Sequence, residues 1–312
     1  MLKHPYFLII AGPTGVGKSD FAEHLARALS AEIVNADMGQ CYTPLSIGTA
    51  KPDWQASDIP HHGFDTLDEP RDLTVAQYRD CLKIILENIW RRGKLPIVVG
   101  GSSFYLASLF FPPKAEVDAV PVTHEPPGED LWQQLSFIDP ERARHIDPHD
   151  HFRIKRALEI WRITGIKPSE YVPTYDPLAP YHMIFLTRDT EELSMRIAKR
   201  VRQMLQAGWI DEVKALKGTP WEPFLLRKKI IGYDDILRFL EVADPGPEEH
   251  EMLEEFIAQR TRQYAKRQRT FWRMLEKKLK EHKYPVETII MSERNMQEYA
   301  EQLIKKLRAL MV

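Results

Sequence analysis

The octapeptide Gly12-Pro13-Thr14-Gly15-Val16-Gly17-Lys18-Ser19 constrains this chain more than any other segment. It satisfies the pattern G-x-x-x-x-G-K-[ST], follows an apolar run at residues 6–11, and opens a stretch of helical periodicity. That strand, loop and helix context is the one in which the pattern cradles phosphates. Glycines let backbone N–H groups turn inward around phosphate oxygens, and the helix N-terminus adds positive dipole. Lys18 supplies a mobile cation and the Ser19 hydroxyl a ligand for Mg2+. A glycine turn with a chance lysine leaves the flanking strand and helix unexplained. The motif specifies a phosphate chain with a metal ion and does not by itself specify ATP.

Four short runs rich in Ile, Val and Leu, at residues 6–11, 32–36, 95–99 and 181–187, read as buried parallel strands. Between them, residues 19–30 carry Phe21, Ala22, Leu25, Ala26 and Leu29 at helical spacing, and residues 73–92 repeat the pattern. This alternation predicts an α/β fold, a P-loop-type doubly wound parallel sheet. A late strand at 286–291 and a helix at 295–310 return to it. Residues 112–130 hold five prolines and several acids and read as a linker or irregular loop. Residues 140–164 are helical and basic, and 167–180 are loop again. The expected organisation is a catalytic core of 1–111 plus 181–312, with 112–180 as an inserted, mainly helical lobe. Residues 189–217 and 248–282 read as long amphipathic helices. No internal repeat is present, which argues against a solenoid.

The longest apolar run is far short of the ~20 residues that span a bilayer, and the lead-in lacks a signal-peptide pattern. Two cysteines, Cys41 and Cys81, cannot build a disulfide framework or a four-ligand zinc site, so a reducing cytoplasm is expected. Lys and Arg number 43 against 45 Asp and Glu, a net charge of −2 that taken whole argues against nucleic acid. The distribution says otherwise. Residues 241–255 hold seven acids and no Lys or Arg, whereas 258–280 hold nine bases and one acid. Arg262, Lys266, Arg269 and Arg273 follow i, i+4, i+7, i+11 on one helical face, with Ile257, Tyr264, Phe271 and Leu275 on another suited to core packing. Such a stripe is either a solvated face or a phosphate-backbone contact, and its place beside a phosphate-binding motif favours the contact. Arg153, Lys155 and Arg156 offer a second clamp, and Arg196, Lys199, Arg200 and Arg202 a third.

P-loop NTPases carry an acidic residue at the end of a further strand to support the metal. Here the 96–99 strand runs into Gly100-Gly101-Ser102-Ser103, and the carboxylate follows the second strand as Asp37. The carboxyl ends of a doubly wound sheet share one crevice, so Lys18, Asp37 and Ser102 are expected to converge. Read alone, Asp37 is either a turn former and helix cap or a general base. Adjacent histidines diverge, so His61 and His62 read as structural or RNA-facing rather than as metal ligands.

Several segments occur together in order: Gly12 to Ser19, Asn35-Ala36-Asp37-Met38-Gly39-Gln40-Cys41-Tyr42, Ile47-Gly48-Thr49-Ala50-Lys51-Pro52, Ile59-Pro60-His61-His62 and Val98-Val99-Gly100-Gly101-Ser102-Ser103-Phe104-Tyr105. Arg153-Ile154-Lys155-Arg156-Ala157-Leu158-Glu159, Ile231-Gly232-Tyr233 and Thr261-Arg262-Gln263-Tyr264-Ala265-Lys266-Arg267-Gln268 follow. The set resembles the tRNA dimethylallyltransferase family, also called tRNA isopentenyltransferases or IPP transferases, over nearly the whole chain. The resemblance implies a transfer in the cytoplasm by a monomer whose partners are tRNA and dimethylallyl diphosphate. The diphosphate would sit on Gly12, Pro13, Thr14, Gly15, Val16, Gly17, Lys18 and Ser19. The N6 amine of the adenine 3′ to the anticodon would displace it, after that base is extruded from the tRNA.

By the same resemblance Asp37 acts as general base, Gln40 reads the adenine edge, and Ser102 keeps a hydroxyl near the leaving group. Lys18, Ser19 and Mg2+ neutralise the departing diphosphate. Asp37, Met38, Gly39, Gln40, Arg153, Lys155, Arg156, Lys229, Gly232, Tyr233, Arg262, Lys266, Arg267, Arg269 and Arg273 face tRNA. Three departures stand out: Met38 replaces the family's serine, Ser102-Ser103 replaces Thr-Gly, and 112–130 lacks the arginine that the family's insert brings to the site. Lys229, Lys114 or Arg227 would have to substitute. The alternatives are an ATP-binding P-loop kinase of a small metabolite, with Asp37 as base on an acceptor hydroxyl, prenylation of free adenylate, and a divergent or non-catalytic tRNA-binding paralogue.

Overall fold

Strand residues with no polar side chains to solvate must be covered on both faces, and the inner strands of this chain's parallel sheet are buried almost residue by residue while its two edge strands are partly exposed. A computed structural model describes residues 4–113, 130–283 and 286–311. Among these, β1 (Phe7–Ala11), β2 (Glu32–Asn35), β3 (His61–His62), β4 (Pro96–Gly100), β5 (Tyr181–Thr187) and β6 (Val286–Ile290) form one sheet in the order β3-β2-β4-β1-β5-β6. All ladders are parallel, with Ile9 of the buried central strand β1 opposite Val98 on one side and Met183 on the other. The strand order reverses at β1, which is where ligands enter such sheets.

The helices of this unit are α1 (Lys18–Leu29), α2 (Val75–Arg91), α3 (Ser103–Ser108), α7 (Thr190–Gln206), α8 (Trp209–Lys214), α9 (Trp221–Lys228), α10 (Tyr233–Phe239), α11 (Pro247–Glu281) and α12 (Met296–Met311). Two details depart from the sequence reading. The helix expected over 189–217 breaks at Gly208, whose φ of 97° no α-helix accommodates, and resumes as α8. The histidine pair forms the edge strand β3, and there it is structural. His62 Nε2 lies 2.7 Å from Glu32, and His61 Nδ1 lies 2.7 Å from the Ile59 carbonyl. Burial opposes the Glu32 charge, but Arg92 and His62 hold its carboxyl below the usual range.

Contacts divide the chain into Met1–Phe110 with Pro177–Val312, which contains the sheet, and a helical unit at Phe111–Asp176. The lead-in at 177–180 belongs to the sheet unit, where the Phe7 N–H donates to the Pro180 carbonyl at 3.2 Å. The helical unit holds α4 (Leu131–Ile138), α5 (Pro140–Arg144) and α6 (His151–Thr164), each capped by an aspartate: Asp130, Asp139 and Asp150. Leu135, Ile154 and Leu158 centre its small core. Lys114, Pro121, Pro126 and Pro127 lie outside the described residues.

A tryptophan clasp positions the loop that borders the site. Trp209, 2% exposed, lies against Gly48 and Gly232, and a Cβ at either glycine would come within 2.1 Å or 1.9 Å of its ring. The Glu212 carboxylate accepts from the N–H groups of Ser46, Ile47 and Gly48 at 3.0, 2.7 and 3.4 Å, and from the Tyr233 hydroxyl at 2.6 Å. Gly232 and Tyr233, expected to touch tRNA, are therefore part of this clasp: Tyr233 is fully buried, and the glycine leaves room for an indole. Replacing Gly232 by alanine adds overpacking to a φ of 86° that strains any side chain. Urea unfolding of G232A is expected to show a loss of about 1–3 kcal/mol, and an unchanged midpoint would remove the clasp from the account.

Candidate active site

The P-loop joins β1 to α1 as the motif requires. Gly15 and Gly17 take φ of 80° and 105°, values open to glycine, and α1 starts at Lys18. Three arginines brace the loop. Arg188 Nε donates to the Val16 carbonyl at 2.9 Å, Arg196 Nε to the Gly15 carbonyl at 3.0 Å, and Arg200 Nη1 to Thr14 Oγ1 at 3.2 Å. Lys18 Nζ donates to the Gly12 and Pro13 carbonyls, both at 3.0 Å. Thr14, Gly15, Gly17, Lys18, Ser19 and Asp37 line a cavity of about 460 Å³. Val16 is fully buried beneath the loop. Burial lowers the Lys18 ammonium from 10.5 to about 8, against the pull of Asp37 and with help from Arg200. An anion in the cavity would offset that cost and favour the charged form.

Asp37 follows β2 and is fixed on both sides. The Asn35 side chain accepts the Asp37 N–H at 2.8 Å and donates to the Asp37 carbonyl at 3.0 Å, while the Met38 N–H donates to Ser102 Oγ at 2.9 Å. One carboxylate oxygen accepts from the Gly39 N–H at 3.3 Å, so Asp37 caps the 3₁₀ turn Met38–Cys41. Capping and chemistry are compatible here because the second oxygen has no such bond among the described residues. Burial raises the Asp37 carboxyl, opposed by Lys18, the Gly39 N–H and Arg200. A second cavity of about 520 Å³ adjoins the first, lined by Met38, Gly39, Ser102, Trp209, Lys229 and Tyr264 among others. Thr14, Asp37, Thr49 and Arg200 line both. Asp37 thus stands at the seam between the P-loop cavity and one walled by apolar, aromatic and basic side chains.

Several expected roles shift. Ser102 lines the second cavity rather than the P-loop cavity and acts on the Asp37 segment through the Met38 N–H. Gln40 Nε2 donates to the Thr49 and Ala50 carbonyls at 3.1 and 3.2 Å, so its donors hold the loop after the clasp and a bidentate reading of adenine is not prepared. Arg227 pairs with Asp72 at 3.2 Å and covers Phe224. It lines neither cavity, whereas Lys229 lines the second. The arginine at the seam is Arg200, which spacing alone had grouped with a backbone clamp. A signal was present: α7 follows β5, the neighbour of β1, so its inward residues must reach the P-loop edge.

Helix α11 separates the cations expected to act together. Ala265, Gln268, Trp272, Leu275 and Leu279 form its buried stripe. Arg260, Tyr264 and Arg267 line the second cavity on one flank, and Tyr264 and Phe271 are not core residues as expected. Arg262, Lys266, Arg269 and Arg273, offset by two residues or ~200°, line a groove between α7 and α11 on the other flank. There Arg262 pairs with Glu255 at 2.5 Å and Arg269 Nη1 bonds Thr190 Oγ1 at 3.0 Å. Arg153, Lys155 and Arg156 are exposed on α6 of the helical unit, where Arg153 pairs with Asp150 at 3.3 Å and Arg156 with Glu159 at 2.6 Å.

Comparison with known proteins addresses the same segments. A family model described as IPP transferase matches residues 40–275, and one described as isopentenyl transferase matches residues 6–58. The tRNA dimethylallyltransferase 1 of Citrifermentans bemidjiense is 36% identical over 276 residues, covering 85% of this chain and 88% of that one. The tRNA dimethylallyltransferase of Synechococcus sp. (strain JA-3-3Ab) is 37% identical over 280 residues, covering 87% and 80%. A eukaryotic dimethylallyltransferase solved acting on tRNA superposes with a TM-score of 0.70 at 30% identity, covering 85% of this chain and 69% of that one. The full-length tRNA isopentenylpyrophosphate transferase of Bacillus halodurans does so at 0.65 and 27% identity, covering 99% and 97%. Since the two matched spans together take in the P-loop, Asp37, the lining of both cavities and most of α11, and the relatives are 36–37% identical over 80% or more of each chain, this chain belongs to the IPP transferase family.

Proposed function

We propose that this protein transfers the dimethylallyl group of dimethylallyl diphosphate to the N6 amine of the adenine 3′ to the anticodon in tRNA. The observation that carries the reading is the place of Asp37, between the P-loop cavity and the second, partly aromatic one. With diphosphate on the P-loop and an extruded adenine beside Trp209 and Tyr264, the N6 lone pair attacks the allylic carbon. The bond from that carbon to diphosphate oxygen breaks, and the amine proton passes to the Asp37 carboxylate. Lys18, Arg200 and the loop amides meet the charge that develops on the leaving diphosphate. The oxygen donors Ser19 and Asp20 line the first cavity and suit a hard cation such as Mg2+, held largely through substrate phosphates. Such an ion would supply further neutralisation of the diphosphate. Among the described residues no helix is long and apolar enough to cross a membrane, and we place the protein with its tRNA substrate in the cytoplasm.

Protein, Mg2+, dimethylallyl diphosphate and unmodified tRNA, followed by nucleoside mass analysis, are expected to yield prenylated adenosine. Consumption of ATP without that product would support the kinase instead. Asp37→Ala is expected to lower kcat by about 10²–10⁴. Because the base must be ionised and burial raises its pKa, kcat/KM should fall on acidification with a midpoint above the ordinary 3.8.

The groove stripe makes a separate prediction. Charge reversal at Lys266 and Arg269 together should weaken tRNA binding and flatten its salt dependence by about one unit of slope per lost phosphate contact. The KM for dimethylallyl diphosphate should stay unchanged. Unaltered tRNA affinity at moderate salt would reduce the stripe to solvated surface.

A further inference from the structure

Gln268 sits in the buried stripe of α11 with 5% of its surface exposed, among residues otherwise apolar. Its carboxamide is engaged at both ends. Oε1 accepts the Thr14 N–H of the P-loop at 2.9 Å, and Nε2 donates to the Gly101 carbonyl at 2.8 Å. One helical turn before it on α11, Tyr264 lines the second cavity. Gly101 leads into Ser102, whose Oγ accepts the Met38 N–H beside Asp37. A Cβ at Gly101 would lie 2.4 Å from Gln268 Nε2, so the carboxamide occupies the space that the glycine leaves. One side chain thus joins three elements: the loop that carries Lys18, the loop that carries Ser102, and the helix that presents Tyr264 and Arg267.

We propose that Gln268 is a positioning residue that sets the diphosphate loop in register with the Asp37 segment, through Thr14 on one side and Gly101 on the other. The proposal rests on the dimethylallyl-transfer reading for its kinetic consequences but not for its binding consequence. At neutral pH an amide is the side chain of this length that can accept from an N–H and donate to a carbonyl at once. Methionine keeps the length and loses both bonds. Glutamate keeps the acceptor and, when ionised, loses the donor; its protonated form regains it.

The test compares wild-type protein with Q268M and Q268E, each verified by a cooperative thermal transition. Inorganic diphosphate is titrated calorimetrically and transfer to tRNA is assayed over a pH series. Q268M is expected to bind diphosphate roughly tenfold more weakly, the effect of one to two buried hydrogen bonds. Its KM for dimethylallyl diphosphate should rise in proportion while its tRNA affinity stays within about twofold. Q268E should also bind diphosphate more weakly than wild type at neutral pH and recover towards wild type as the pH falls and its carboxyl protonates, a recovery that Q268M cannot show. Wild-type diphosphate affinity in Q268M, or parallel pH profiles for the two variants, would overturn the proposal. Weakened diphosphate binding in Q268M with no prenyl transfer by the wild type would leave the positioning role standing and remove the functional reading instead.

Discussion

A carboxylate between two cations, at the carboxyl edge of a parallel sheet, is what the surrounding structure serves. Asp37 is half-buried; desolvation penalises its charge, and Lys18 and Arg200 oppose that penalty in part from different elements. Lys18 in turn loses proton affinity through the same burial. In the proposed reaction the cations that stabilise the Asp37 charge beforehand are those that would meet the leaving diphosphate during it.

That cluster explains what otherwise looks like separate structural decisions. The Asn35 side chain spans the turn around Asp37, Ser102 takes the next N–H, and the Trp209 clasp with Glu212 fixes the loop whose carbonyls engage Gln40. Each restrains the Asp37 segment from a different side. Arg188, Arg196 and Arg200 brace the P-loop from α7 and the residue after β5, so the two cavities are bounded by elements that flank β1. Gln268 then links the loop to α11. The site is built from segments more than two hundred residues apart, and the sheet is what makes them neighbours.

How much of this was legible follows from range. The P-loop and the strands at 6–11, 32–36, 95–99 and 181–187 rest on local spacing, and the structure has them within a residue or two. The convergence of Lys18 and Asp37 follows from the doubly wound rule. What required the fold was which way a side chain of ordinary type turns. Gln40 and Gly232 lie in recognisable segments, yet their roles depend on Thr49 and Trp209, partners set by tertiary packing. The stripe on α11 lies along one groove, and spacing already sets Arg267 off that face, but only the fold shows that Arg267 lines another cavity. Arg200 was hidden in a run of four bases on α7, where only the adjacency of β5 and β1 singles it out. Strand β3 has two residues, too few to carry a period.

The central claim is that Asp37 faces the acceptor amine while the P-loop holds the leaving diphosphate. A structure of the protein with a non-reactive dimethylallyl diphosphate analogue and an anticodon stem-loop tests it most directly. The account predicts diphosphate along residues 12–19 with adenine N6 about 2.6–3.2 Å from an Asp37 carboxylate oxygen. Adenine bound away from Asp37, or a nucleoside triphosphate extending from the P-loop across both cavities, would contradict it.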